Sequence, residues 1–298
     1  MKTFRMIGMA LVAVMLSFTM SSCEKDDDVD VDPYKDYPQL IVGKWFNFTP
    51  EASVFVNFSA DGTYNTIGYD NSEGSMGWQT VQGQYELKGN IFTWYFPSRE
   101  VVLEIEVTAN KMIMRSSMGD KVHYRVKEQF DIKGNYTYLN AAARVVPAEG
   151  KTALQLPEGF IFNGENTIPV ESLNGERIID ASKAFFADAT FAEDGKLNHT
   201  MNGEVKVKNY TLNGNNLVFN LYEGSDVYKI NATSFPDEDG DRLFIIMPKQ
   251  AAWIGGFVSI IEEQNEGKKF SEAQIAELEK EFMATFETFT VILSLSKK

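Results

Sequence analysis

Along most of this chain hydrophobic and polar positions alternate, and turn signals interrupt the alternation at regular intervals. Val54, Val56 and Phe58 take one face and Phe55, Asn57 and Ser59 the other, before Ala60-Asp61-Gly62 leads into the run Thr63 to Tyr69. Period-two alternation places successive side chains on opposite faces of a strand, and Asp-Gly between two such runs is a hairpin signal. Trp78 to Leu87 meets Lys88-Gly89-Asn90 and returns as Ile91 to Phe96; further runs cover Glu100 to Thr108, Lys111 to Ser116 and Lys121 to Lys127. With Ile41 to Phe48 at the front, residues 40–128 predict about eight antiparallel strands at the spacing of a barrel or sandwich.

Residues 129–298 repeat the same punctuation in the same order. Ile132-Lys133-Gly134-Asn135-Tyr136 echoes Ile41-Val42-Gly43-Lys44-Trp45, Phe191 to Gly195 echoes Phe58 to Gly62, and Tyr210 to Asn215 echoes Tyr85 to Asn90. Three landmarks in register argue for an internal duplication. The second copy differs in two ways. Its first connection is longer by about forty residues, 140–183, a length usual for functional or covering loops. It also closes with a helix over 271–286 and one last strand: Ser271 and Gln274 form a capping box, Phe270 can staple onto Ile275, and Ile275, Leu278, Phe282 and Phe286 share a face.

The first residues follow another pattern. Lys2 and Arg5 precede the uncharged, mostly apolar run Met6 to Met20, too short to span a bilayer comfortably, and Met20-Ser21-Ser22-Cys23 follows. This segment resembles a lipoprotein signal peptide, residues 1–22, with Cys23 in the position that receives acyl chains. Cys23 is the only cysteine of 298 residues, so it forms no intramolecular disulfide. Acyl chains there would anchor the protein to a membrane without a spanning helix. Residues 23–39 read as an acidic flexible tether. Cys23-Glu24-Lys25 followed by a run of Asp is similar to the export tag of Bacteroidetes surface lipoproteins, which implies lipid anchoring in the outer membrane with exposure at the cell surface.

Charge narrows the partners. The chain carries 28 Lys and Arg against 42 Asp and Glu, and loss of Lys2 and Arg5 with the signal leaves 26 against 42, a net charge of −16. So acidic a chain is a poor nucleic-acid binder and is not expected to lie on anionic lipid. Aromatic residues make up 13% of the chain, including 22 Phe and 12 Tyr, which suits large β cores.

Both halves resemble the lipocalin-like (calycin) domains of Bacteroidetes lipoproteins. Gly43-Lys44-Trp45 matches the Gly-x-Trp that opens the first lipocalin strand. The resemblance implies an all-β chain of two tandem antiparallel eight-stranded barrels, with Trp45 closing one end of the first against a basic residue of the last strand, Arg125. Gly134-Asn135-Tyr136 departs from this pattern.

Candidate chemistry is sparse. The two histidines, His123 and His199, have no Cys, Asp or Glu at metal-ligand spacing, and no phosphate loop, dinucleotide fingerprint or nucleophile elbow occurs. Glu104 and Glu106 share one face of a strand about 7 Å apart, a separation that admits glycoside hydrolysis but equally describes an exposed polar face. Asp237 to Asp241 lacks the ligand spacing of a calcium loop. No catalytic residue, metal or other cofactor is assigned. A barrel as small as the first is expected to be nearly filled by its own side chains. The second is expected to admit a small apolar or amphiphilic ligand near Trp253, Phe257 and Tyr222, with His199 at its mouth; Trp253 and Phe257 serve as lid or as plug. The alternative is a glycan-contacting or protein-interaction lipoprotein using exposed Trp78 or Trp94.

Overall fold

The computed structural model describes residues 32–48, 53–70, 77–96, 98–117, 119–201, 203–220 and 229–298, with backbone alone at 69, 70, 77–79 and 201. Cys23, the signal segment and Tyr222 lie outside them, as does the Trp78 side chain. After the short helix α1 (Tyr37–Leu40) the chain forms β1 (Gly43–Phe48), β2 (Ser53–Phe58), β3 (Thr63–Asp70), β4 (Gly77–Lys88), β5 (Ile91–Phe96), β6 (Arg99–Val107), β7 (Lys111–Arg115) and β8 (Lys121–Arg125). Each pairs antiparallel with the next, and β8 returns to β1 to close the barrel.

The second barrel starts with β9 (Gly134–Pro147). An inserted layer follows: β10 (Ala153–Gln155), β11 (Thr167–Pro169), a 3-10 turn over Val170–Leu173 and α2 (Glu176–Phe185). The barrel resumes with β12 (Ala189–Phe191), β13 (Lys196–Met201), β14 (Glu204–Asn213), β15 (Asn216–Asn220), β16 (Lys229–Pro236) and β17 (Arg242–Met247). A 3-10 turn over Ala251–Ile254, then α3 (Gly255–Gln264) and α4 (Glu272–Thr285), lead into β18 (Phe286–Lys297), which pairs with β17 and β9 and closes the sheet. The expected helix before the last strand is in place with its capping box: Ser271 Oγ accepts from the Gln274 N–H, and Gln274 Oε1 accepts from the Ser271 N–H. Phe270 stacks on Phe160 of the inserted layer at 3.8 Å between ring centroids. Strand β9 runs into the segment expected to be insertion, because Ala141, Ala142 and Ala143 pair with Leu293, Ile292 and Val291. Small residues facing a fully apolar partner give no alternation to recognise.

The repeated turn chemistry produces the same hydrogen bonds twice. Tyr85 donates from its N–H to Gly62 O and from its hydroxyl to Ser59 O; Tyr210 does the same to Gly195 O and Ala192 O, all four at 2.7 to 2.8 Å. Asp61 accepts from the Thr63 N–H and Asp194 from the Lys196 N–H. The Ile105 N–H reaches Asn90 O at 2.8 Å, and the Ser234 N–H reaches Asn215 O at 2.8 Å. Phe58 meets Tyr85 edge to face at 5.0 Å, as Phe191 meets Tyr210 at 5.1 Å.

The two barrels share a buried seam. Phe46, on the outward face of β1, is fully buried, with Phe55, Phe235 and Phe244 at centroid distances of 4.5, 5.3 and 5.5 Å. Strands β17 and β18 carry nearly unbroken apolar runs because both of their faces are covered. Leu243, Ile245, Val291 and Leu293 point into the second barrel, while Phe244, Ile246 and Ile292 pack against the first.

Candidate functional site

The first barrel is filled at one rim and hollow at the other, and side-chain size decides which. At the rim where β1 begins, Trp45, Phe58, Tyr64 and Phe92 pack the interior with α1 beside them. The Trp45 indole N–H donates to Ile41 O at 2.7 Å. The Arg125 guanidinium lies 4.2 Å from the Trp45 ring centroid and donates to the carbonyls of Leu40, Val42 and Ala109. Gly43 allows this closure: a Cβ there would fall 2.5 Å from Arg125 Nη1. The second barrel uses the same register with other residues. Tyr136 pairs with Lys297 as Trp45 pairs with Arg125, and a Cβ on Gly134 would fall 2.8 Å from Lys297 Cε. Burial pushes the Tyr136 phenol up to about 12.

Toward the opposite rim Trp94 and Phe96 remain but other inward positions shrink to Val54, Gly68, Val81, Val101 and Ser116, and a cavity of about 880 Å³ is left. It is deepened by a defect in the wall. Strands β1 and β8 pair only at Trp45 with Arg125 and Phe46 with Tyr124; beyond them the Asn47 amide bridges to Val122 O at 2.6 Å. The cavity continues past Phe48 and Tyr124 to the outer wall of the second barrel, where Asn140, Arg242, Phe244 and Ser294 complete it.

His123 of β8 lines this space and is only 3% exposed. Burial pushes its imidazole down to about 4, partly offset by the Lys121 backbone, so the ring is neutral at pH 7. Its Nδ1 makes no hydrogen bond among the described residues, and neither do Asn140 Oδ1 and Ser294 Oγ on the same cavity. Arg99, Lys121, Arg242 and Asp120 stand around it at exposed positions. Among the described residues, no three His, Cys, Asp or Glu side chains gather where they could hold a metal ion.

The residues expected to bind ligand in the second barrel sit elsewhere. Trp253 is fully buried and donates to Pro248 O at 3.0 Å; Phe257 is 3% exposed, and both belong to the core formed by the second barrel, its inserted layer and its helices. His199 is buried and stacks on Phe185 at 4.0 Å. Glu104 and Glu106 stand exposed on the outer face of β6, Glu104 accepting from Asn90 and Glu106 paired with Arg115 at 2.6 Å. Trp94 is buried. The cavity escapes a linear reading because it depends on residue size at one rim of a closed sheet. Gly68, a glycine inside a strand pattern, is its one local signal.

No protein-family model and no curated protein matches this sequence. Among solved structures, the chain is similar at 7% identity to a DUF3598-family protein of unknown function from Nostoc punctiforme, over 87% of this chain and 97% of that one, with a TM-score of 0.24. It is likewise similar to a porin-like protein from Bacteroides uniformis at 7% identity, over 86% and 96% of the two chains, with a TM-score of 0.17. Likeness at that level carries nothing about function to this chain.

Proposed function

We propose that this protein is a non-enzymatic, lipid-anchored binding protein of the bacterial outer membrane, exposed at the cell surface, that holds a small apolar or amphiphilic ligand in its first barrel. The observation that carries the binding role is the cavity of about 880 Å³ walled by Val54, Val81, Val101, Leu103 and Met114. Its size and largely apolar lining are those of a small-molecule site. Anchoring rests on the lipobox-like Ser21-Ser22-Cys23 and the acidic run behind it. Gln82, Gln84, Glu86, Glu104 and Glu106 lie exposed on the outward faces of β4 and β6, where a lipid-facing barrel carries an apolar band. The barrels are therefore read as standing in water with the acyl chains as their membrane contact.

Two experiments test this. Titration of the chain from residue 24, which keeps the whole compact unit Asp36–Lys298, with the fluorophore N-phenyl-1-naphthylamine should give saturable enhancement. Gly68→Leu should abolish it: a Cβ at Gly68 meets only ordinary contacts, with Val54 and the Ser53 carbonyl, so the longer side chain extends into the cavity. Equal binding by the variant overturns the site. Palmitate labelling in a bacterial host should be lost in Cys23→Ser, and an unlabelled wild-type chain overturns the anchor.

A further inference from the structure

Three partnerless polar atoms lie at this cavity, one from the first barrel and two from the second. His123 Nδ1 is on the inner wall of the first; Asn140 Oδ1 and Ser294 Oγ are on the outer wall of the second. His123 and Ser294 are 3% and 2% exposed. Buried polar groups in native proteins are hydrogen-bonded, and an exception needs water or a ligand to complete it. Three exceptions on one cavity mark a place where something polar sits.

The placement of the second pair is specific. Asn140 and Ser294 are cross-strand partners, and the ladder shifts register between Ser294 and Leu295, leaving Leu139 as an extra residue on β9. A bulge of this kind re-aims the side chains beside it. On the wall facing the first barrel Phe244, Ile246 and Ile292 are apolar, and farther along it the buried Arg144 donates to Ser53 of β2 at 3.5 Å. Asn140 and Ser294 are the uncharged polar side chains that this wall turns toward the cavity.

The buried set carries no charge. An amide oxygen accepts, and a hydroxyl or neutral imidazole donates or accepts. All four charged side chains on the cavity, Arg99, Lys121, Arg242 and Asp120, are exposed. A carboxylate placed among these three would lose its hydration and meet none of the cavity's exposed cations, whereas a hydroxyl or amide would find both donors and acceptors.

We propose that the cavity is a composite site: His123 of the first barrel and Asn140 and Ser294 of the second together hold the uncharged hydrogen-bonding head of an amphiphile, whose hydrocarbon lies along Val54, Val81, Val101 and Leu103. This rests on the binding role above and gives the second barrel a task, that of a recognition wall for its neighbour.

Displacement of bound N-phenyl-1-naphthylamine by decanamide and by decanoate at pH 7.5 tests it. Decanamide should displace the fluorophore at about tenfold lower concentration than decanoate, the loss expected when a site's polar groups go unanswered. In Asn140→Leu/Ser294→Val the two should come within about threefold of each other. Ser294→Ala, a smaller change at the seam, should move the preference part of the way. Tighter displacement by decanoate overturns the proposal in favour of anion capture by the rim cations. An unchanged preference in all variants removes the second barrel from the site. If the fluorophore does not bind the wild-type chain at all, the binding role itself falls, and the composite site with it.

Discussion

The two barrels share turns, registers and hydrogen bonds, yet among the described residues the first lines a cavity while large side chains pack the second. In the first, aromatic side chains fill the rim at Trp45 and short ones line the rim at Gly68. In the second, Phe185, Phe186, Phe219 and Phe289 occupy the interior, and the inserted layer and the helices add Leu156, Phe160, Trp253 and Phe282 to the same core. Turn chemistry sets the topology of a copy; the size of its inward residues, and what is inserted between its strands, set whether it has room for a guest.

The largest expected effect separates the two interiors. Trp253→Ala should lower the unfolding free energy by about 3–5 kcal/mol, since it empties a packed core, whereas Val101→Ala enlarges an existing space and should cost about 1 kcal/mol. Denaturant midpoints at constant slope measure both. Equal losses would erase the contrast.

Next in size is a pH effect confined to the hollow barrel. His123 is held near 4 when folded and titrates near 6.5 when unfolded. Between those values the unfolded chain takes up a proton that the folded chain refuses. The contribution is therefore fully present above about pH 6.5 and falls as pH drops toward 4, by up to about 3 kcal/mol. His123→Phe should flatten that part of the stability profile relative to wild type. A wild-type difference profile with no slope in this window contradicts the neutral buried imidazole.

The two end-closures give a smaller contrast. Arg125→Ala removes three hydrogen bonds to carbonyls and a cation–π contact, and about 2 kcal/mol is expected. Lys297→Ala, which leaves the buried Tyr136 in place, should cost less than half of that by the same midpoint measurement. The smallest effect belongs to the exposed carboxylates: Glu104→Gln with Glu106→Gln should leave both the midpoint and fluorophore binding unchanged. Loss of binding there would move the site to the outer face of β6.

What could be read along the chain was local. Asp61-Gly62 and Asp194-Gly195, the tyrosines at 85 and 210, and the Ser271/Gln274 cap are short-range devices, and each forms the contact its spacing implies. Gly43, Trp45 and Arg125 meet across a closed barrel, a contact that a family resemblance can suggest and spacing alone cannot. The cavity was not legible, because Val54, Gly68, Val101 and Ser116 come together only when eight strands close. Nor was the seam, although Phe46 beside Trp45 and the unbroken run Leu243 to Met247 are its traces: strands apolar on both faces need cover on both. The tract Asn140 to Ala143 reads as connection because alanines show no period, yet there the chain pairs with β18 and presents Asn140 to its neighbour.

Location of a bound amphiphile tests the central contrast most directly. Crystals soaked with 12-bromododecanamide should show an anomalous bromine peak inside the first barrel, among Val54, Gly68, Val101 and Met114, and none within the core around Trp253 and Phe257. A bromine inside the second barrel, or one found only on outer surfaces, would contradict the account.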